Sequence, residues 1–280
     1  MSTTTTTRLA RVPYLNSAPF FRGLSLGARY EVTDCVPRAL GQMAAAGTID
    51  AGLLPLADYL RLQGAFERLG RFGIAVRGRG RSVLLFSRTP ILQLDGRTIA
   101  VTEETSTSAV LLRLLLEHRY RLAPAAYERV RVPPPMAGVD EDVPTSKMEG
   151  PHGQDPAADA WLLIGDAALR FSHANTRFPY EYDLAFEWWM WQHLPCVFAV
   201  WAIRAGDSAH ERKALEAALA KSLVMNLGQL ETIAQESSER LGVPSTELQV
   251  YLERFVYRLG PDEEAAISRF ATLAHEHHLL

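Results

Sequence analysis

The chain has 280 residues, 48% of them apolar and 22% charged, a balance that excludes intrinsic disorder, collagen-like repeats and coiled coil. A chain of this length buries roughly three quarters of the surface it exposes when extended, so two modest lobes are expected. With 29 Lys+Arg against 32 Asp+Glu the net charge is −3; nothing global draws the protein to nucleic acid or anionic lipid, and any anion it binds must be held locally.

The longest apolar run, Cys196 to Ile203, falls far short of the ~20 residues that cross a bilayer, so no membrane span is expected. Cys35 and Cys196 allow at most one bridge, and reduced thiols in a cytoplasm fit better than a disulfide framework. Met1 to Thr7 is Thr-rich and has neither the basic n-region nor the apolar h-region of a secretory signal. It reads as a frayed terminus.

Apolar stretches of strand length then alternate with helical patterns, the mark of an α/β fold with largely parallel sheets. Leu9 to Pro13 reads as a strand, followed by a helix from Ser17 to Leu24. Glu31 to Val36 is a second strand, and Pro37 opens a helix that Gly47 stops. Asp50 to Leu54 is a third strand, closed by Pro55 with a short helix behind it. Ser82 to Ser87 is a β-rich run bounded by Arg77-Gly-Arg-Gly-Arg81 and Thr89-Pro90.

A second set begins with a strand at Arg97 to Thr102. Thr105 to Ser108 cap a helix from Ala109 to Tyr120 that has Val110, Leu111, Leu114 and Leu115 on one face. Arg129 to Val132 reads as a strand leading into Pro133-Pro-Pro135, and Met136 to Ala158 as an exposed, mobile loop. Ala160 to Ile164 is a strand, Gly165-Asp166 opens a helix, and Phe186 to His193 is an aromatic-rich helix stopped by Leu194-Pro195. Cys196 to Arg204 is a buried strand, and Ser208 to Leu280 reads as helices with no strand between them.

Two such sets with a strand returning near residue 200 predict one lobe interrupted by another. Residues 1–88 with 200–280 form lobe I and residues 89–199 form lobe II, joined by crossings near Ser87 to Pro90 and Phe198 to Trp201. The result is a clamshell with its cleft between the lobes.

Small polar residues fall where α/β folds bind ligands. Asn16, Ser82, Thr105 to Ser108 and Asp166 each sit at a strand end or helix start. Four hydroxyl residues in a row at a helix N-terminus combine free N–H groups with the positive dipole end, which makes a seat for a carboxylate or phosphate. Each also has a plainer reading: Thr105 to Ser108, Asn16 and Asp166 as helix caps, Ser82 as a strand-edge hydroxyl. Arg77, Arg79 and Arg81 read as a solvated basic loop or a short-range steering patch, and Trp188, Trp189 and Trp191 as core or cleft wall. His275, His277 and His278 lack a second ligand cluster, and no phosphate-binding glycine loop or nucleophile elbow occurs, so neither a metal nor a nucleotide is indicated. On the residues alone this is a cleft protein for a small anion, either an enzyme or a binding protein.

The stretch Arg11-Val-Pro-Tyr-Leu-Asn-Ser-Ala-Pro-Phe20 resembles the Ser-Tyr-Leu-Asn-x-x-Pro-Phe opening of the chorismate dehydratases of menaquinone biosynthesis by the futalosine route. Gly47 to Pro55, Ser82 to Ser87, Leu94 to Ala100, Leu163-Ile-Gly-Asp166 and Leu194 to Trp201 resemble further blocks in the same order, over about residues 8 to 275. The resemblance implies a type II periplasmic-binding-protein-like fold, a cytoplasmic hydro-lyase, and conversion of chorismate to 3-[(1-carboxyvinyl)oxy]benzoate with no metal or organic cofactor. By position it makes Asn16 and Ser82 catalytic and places Tyr14, Ser106, Thr107 and Asp166 at the substrate. It leaves oligomeric state open, a homodimer included. Pro13 departs from the small residue usual before the Tyr, and Gly138 to Ala158 departs from a shorter helix.

The implied chemistry needs few protein bases, because aromatisation supplies the drive and the protein mainly orients the eliminating groups. The enolpyruvyl carboxylate, held by Asn16, would take the C3 proton, while Ser82 holds that carboxylate or assists the departing hydroxyl. Rival expectations are the dihydroxynaphthoate synthase of the same pathway, which has a different opening motif, and a non-catalytic cytosolic small-anion-binding protein.

Overall fold

The structure, a computed structural model, describes residues 6–131 and 158–280. The expected loop from Met136 onward, Val132 to Pro135 and the first five residues lie outside the described residues. Thr7, read above as part of a frayed tract, already opens the first strand and is buried.

The first sheet starts with β1 (Thr7–Arg11), β2 (Tyr30–Asp34) and β3 (Ala51–Pro55), connected through α1 (Ala18–Phe21) and α2 (Pro37–Ala45). These three strands run parallel, with β1 in the middle. Every residue of β3 is buried, as an unbroken apolar run covered on both faces must be. The outer strand β2 is largely exposed and polar, and Arg11 pairs with Asp34 across it, a charged edge that discourages further strand pairing. After α3 (Leu56–Arg61) comes β4 (Phe66–Val76).

The chain then crosses to a second sheet built from β5 (Val83–Ser87), β6 (Thr98–Thr102), β7 (Ala126–Val130), β8 (Ala160–Ile164) and β9 (Tyr180–Asp183). Its helices are α4 (Thr107–Arg113), prolonged by a π-helical turn over Leu114–Arg119, then α5 (Gly165–Ala174) and α6 (Leu184–Gln192). The chain returns as β10 (Cys196–Arg204) and finishes with α7 (Ala209–Leu227), α8 (Leu230–Leu241), α9 (Ser245–Leu252), β11 (Phe255–Arg258) and α10 (Pro261–Glu276). Strand order is β11-β4-β10-β3-β1-β2 in the first sheet and β7-β6-β8-β5-β9 in the second.

Three sequence expectations change. Both sheets are mixed rather than largely parallel: β10 runs antiparallel to β3 and β4, and β5 antiparallel to β8 and β9, because each enters its sheet from the other lobe. Since β5 pairs with β8 and β9, the crossings fall at residues 77–82 and 193–195, not at Ser87 to Pro90 and Phe198 to Trp201. And Ser208 to Leu280 is not purely helical, because β11 extends the first sheet beside β4.

Each crossing holds a non-glycine residue in the left-handed region, Arg81 at φ 61° and His193 at φ 56°. Asp183 steadies the first of them. Its carboxylate accepts from the Arg81 N–H at 2.7 Å while capping α6 through the Ala185 and Phe186 N–H groups, and burial raises its pKa.

The last helix is held to the second lobe partly by a stacked pair, His118 and His277, with ring centroids 3.3 Å apart. Burial and then the neighbouring His277 hold the His118 pKa below its ordinary 6.5. The unfolded chain therefore takes up a proton at a higher pH than the native protein does. This contribution is intact above about pH 6.5 and is lost as pH falls through that value. Denaturation midpoints are expected to drop between pH 7.5 and 5.5, and the drop to shrink in His277→Gln; an unchanged drop in that variant would assign it to other groups.

Candidate active site

Ligand-facing loops follow the C-terminal ends of β1, β3, β6 and β8 and meet at the Ser82 end of β5. After β1 the chain turns tightly at Val12 to Ser17. The Ser17 hydroxyl lies 2.8 Å from the Tyr14 carbonyl, and the Ser17 N–H donates to that same carbonyl at 3.0 Å. This turn presents Asn16 to the cleft, and its side-chain amide makes no hydrogen bond among the described residues. Both the acceptor and the donor ends of the amide are left for a ligand.

Tyr14 closes the same loop against the opposite lobe. Its hydroxyl donates a short hydrogen bond to Glu104, and its ring covers Gly165. Burial first, and then the Glu104 carboxylate, push the Tyr14 pKa far above the usual tyrosine range. Tyr14 therefore stays protonated, acting as a wall and a latch rather than an acid or base.

Ser82 is only 1% exposed and lines the cleft floor. Tyr251 is buried behind it; its interaction with the Ser82 hydroxyl partly offsets the rise that burial imposes on the Tyr251 pKa. The Ser82 carbonyl accepts from the Gly165 N–H at 2.7 Å, which ties the start of β5 to the start of α5.

Opposite Asn16 stands the N-terminus of α4. Ser106 occupies the cap position but its side chain makes no cap bond, so the plain capping reading does not describe it. The backbone N–H groups of Ser106, Thr107 and Ser108 donate to no protein group among the described residues. Three free donors at the positive end of a helix are an arrangement able to hold an anion. The Thr107 hydroxyl accepts from the Ala57 N–H at 3.1 Å, tying α4 to the start of α3 across the cleft.

The structure thus brings Tyr14, Asn16, Ser82, Ser106 and Thr107 to one cleft with a cavity of ≈ 70 Å³, with Phe198 and Ile164 among its apolar walls. Among the described residues its lining includes no Asp, Glu, His, Lys or Arg.

Asp166 is different. One carboxylate oxygen accepts from the Leu15 N–H and the other from Arg240, both at 2.8 Å, and Asp166 does not line the cleft. It braces the Asn16 loop from behind, with both oxygens committed to protein donors.

Sequence reasoning also passed over Glu104, whose bond to Tyr14 spans 90 positions, and Gly165, although the Leu-Ile-Gly-Asp block contained it. Two of the three arginine side chains of the basic loop are engaged within the protein. Arg77 pairs with Asp262 and Glu263, and Arg79 lies 4.3 Å over the Phe186 ring. Trp188 is core, donating to the Pro195 carbonyl at 3.0 Å, and no tryptophan lines the cleft. No cluster of metal-ligating side chains occurs among the described residues.

Residues 7–276 match a family model described as menaquinone biosynthesis. The chain belongs to this family. The chorismate dehydratase of Thermus thermophilus is 33% identical over 272 residues, which cover 92% of this chain and 91% of that relative. Among solved structures, a protein of Archaeoglobus fulgidus superposes with a TM-score of 0.74 at 19% identity over 100% of both chains. A Candida albicans gene product, described as exhibiting the generic periplasmic binding protein structural fold, superposes with a TM-score of 0.65 at 10% identity over 97% of this chain and 90% of that one. The family member described here accordingly has the periplasmic-binding-protein fold, and no helix among its described residues is long and apolar enough to cross a membrane.

Proposed function

We propose that the chain is a chorismate dehydratase, a hydro-lyase that removes water from chorismate to leave 3-[(1-carboxyvinyl)oxy]benzoate. The observation that carries the reading is the composition of the cleft: amide, hydroxyl and backbone donors converge on it, and among the described residues no ionisable acid or base lines it except Tyr14, whose pKa burial and Glu104 push up. Such a site suits a substrate that brings its own base.

In the proposed mechanism the free N–H groups of Ser106, Thr107 and Ser108 seat the ring carboxylate, and Asn16 orients the enolpyruvyl carboxylate. That carboxylate takes the C3 proton. The C–H electron pair becomes the third ring double bond as the C4–O bond breaks, and the departing hydroxide takes up the transferred proton to leave as water. Ser82 donates a hydrogen bond to the departing oxygen. Holding the groups in line replaces a bimolecular proton abstraction by an intramolecular one, and water is kept out while this happens. Closure of the two lobes about residues 77–82 and 193–195 shuts the cleft. Cys35 and Cys196 are both free thiols, which supports a reducing, cytoplasmic setting.

Incubating the purified protein with chorismate and separating the mixture by chromatography tests the reading. The expected result is the enolpyruvyl benzoate. Recovery of untouched chorismate would overturn it and leave a small-anion-binding protein or a different enzyme of the pathway.

A further inference from the structure

The cleft has no cation in its lining, yet the proposed substrate carries two carboxylates. Thr105 and Ser106 line the cleft on one side and, on the other, a second cavity of ≈ 310 Å³ that nothing in the mechanism uses. Four arginines, Arg38, Arg61, Arg113 and Arg129, line this second space, with Asp58 as the one acid in its lining.

Two of the four are neutralised within the protein. Arg61 holds Asp58 at 3.0 Å and the Leu279 carbonyl at 3.0 Å, and Arg113 pairs with Glu117 at 2.8 Å. The other two are not. The Arg38 guanidinium makes no hydrogen bond or ion pair among the described residues, although its backbone N–H is anchored to the Glu104 carbonyl at 2.9 Å. Arg129 donates only to the carbonyls of Thr105 and Thr102, at 2.9 and 3.4 Å, and has no carboxylate partner among the described residues. Burial and then the charge of Arg38 lower the Arg129 pKa, with the Glu103 charge opposing them, so the two guanidinium groups feel each other although neither is hydrogen-bonded to a carboxylate among the described residues.

Cations with no carboxylate hydrogen-bonded to them, lining a concave polar space, concentrate anions there. Their position also answers a catalytic difficulty. A guanidinium inside the cleft would grip substrate, transition state and product alike, whereas one outside it hastens arrival without deepening the ground state.

We propose that the cavity lined by Arg38 and Arg129 is an antechamber for small dicarboxylates, which captures the ligand from solvent and passes it over Thr105 and Ser106 into the cleft. Only the identity of the dicarboxylate as chorismate rests on the dehydratase reading.

Steady-state kinetics of Arg38→Gln, Arg38→Lys and Arg129→Lys as a function of salt test the proposal. At about 20 mM salt, where the Debye length exceeds the dimensions of the cavity, Arg38→Gln is expected to lower kcat/KM by about 5- to 10-fold with kcat unchanged. The deficit should close at about 0.5 M salt, and the two lysine variants should stay near wild type. An unchanged kcat/KM at low salt, a deficit that persists at high salt, or a fall in kcat itself would overturn it.

Should the wild-type protein leave chorismate unaltered, titration calorimetry with benzene-1,3-dicarboxylate supplies a reading independent of turnover. Weaker binding by Arg38→Gln at low salt supports the antechamber, while equal binding, or none by wild type, overturns it.

Discussion

Replacing either Asn16 or Ser82 by alanine should lower kcat by about 10²- to 10³-fold with a smaller change in KM, the scale observed when one pre-positioned donor is removed from where charge develops. The cleft supplies orientation and hydrogen bonds only. No lining acid or base can substitute for a lost donor, and Asn16 has no protein partner whose loss would confuse the reading. Ser82 is the harder case, since its side chain touches the buried Tyr251, so Ser82→Ala must first be shown by circular dichroism to fold. The double variant should be little worse than the poorer single one, because both groups act on one elimination. Folded single variants with near-normal turnover would remove both residues from the chemistry.

The largest stability effect is expected at Gly165. Its backbone sits at φ +59°, a conformation that costs a residue with a Cβ about 1–2 kcal/mol. In addition, an added Cβ would lie 2.6 Å from both Cδ2 and Cε2 of Tyr14. The ring cannot swing aside freely, because its hydroxyl is held by Glu104, and the glycine cannot retreat without dragging Ser82 through the 2.7 Å bond from its own N–H.

Gly165→Ala is therefore expected to lose about 3 kcal/mol or more of unfolding free energy. It should also lose at least about 10²-fold in kcat/KM, because both Asn16 and Ser82 are displaced. Adding Tyr14→Ser to Gly165→Ala removes the overlap but not the strained φ, so it should restore part of the stability and little of the activity. Denaturant unfolding of the two variants measures this; a Gly165→Ala protein as stable as wild type would show that the close approach is absent in solution.

Where burial is high, the sequence announces structure well. Ala160–Ile164 and Cys196–Arg204 read correctly to the residue, because each carries an unbroken apolar run, Ala160 to Ile164 and Cys196 to Ile203, with a Gly or a Pro at one end. β4 escaped because Arg68, Gly70, Arg71 and Gly73 interrupt its pattern, and Gly73 is there for a tertiary reason: a Cβ would stand 2.6 Å from the Ala199 carbonyl of β10. β9 and β11 have four residues each and sit at sheet edges, where alternation is too brief to register.

In the site, Tyr14, Asn16, Ser82, Ser106 and Thr107 were legible because small donors after strand ends mark a ligand-binding edge in this class of fold. For Asp166 the sequence does not separate the two roles, because a carboxylate at a helix start looks alike whether it faces a ligand or binds protein donors such as the Leu15 N–H and Arg240. The ties that close the cleft, Tyr14 to Glu104 and Thr107 to Ala57, join residues with no local pattern in common.

The place of β10 between β3 and β4 also dictates an order of assembly on the ribosome. Until residue 204 has emerged, β3 and β4 have no strand to join them, and each presents a bare apolar flank to any other nascent chain. The second sheet draws all its strands from residues 83–183 and can complete itself during that wait. The lobe encoded in the middle of the chain is thus the first able to finish, and the strands made before it must be guarded until their keystone arrives.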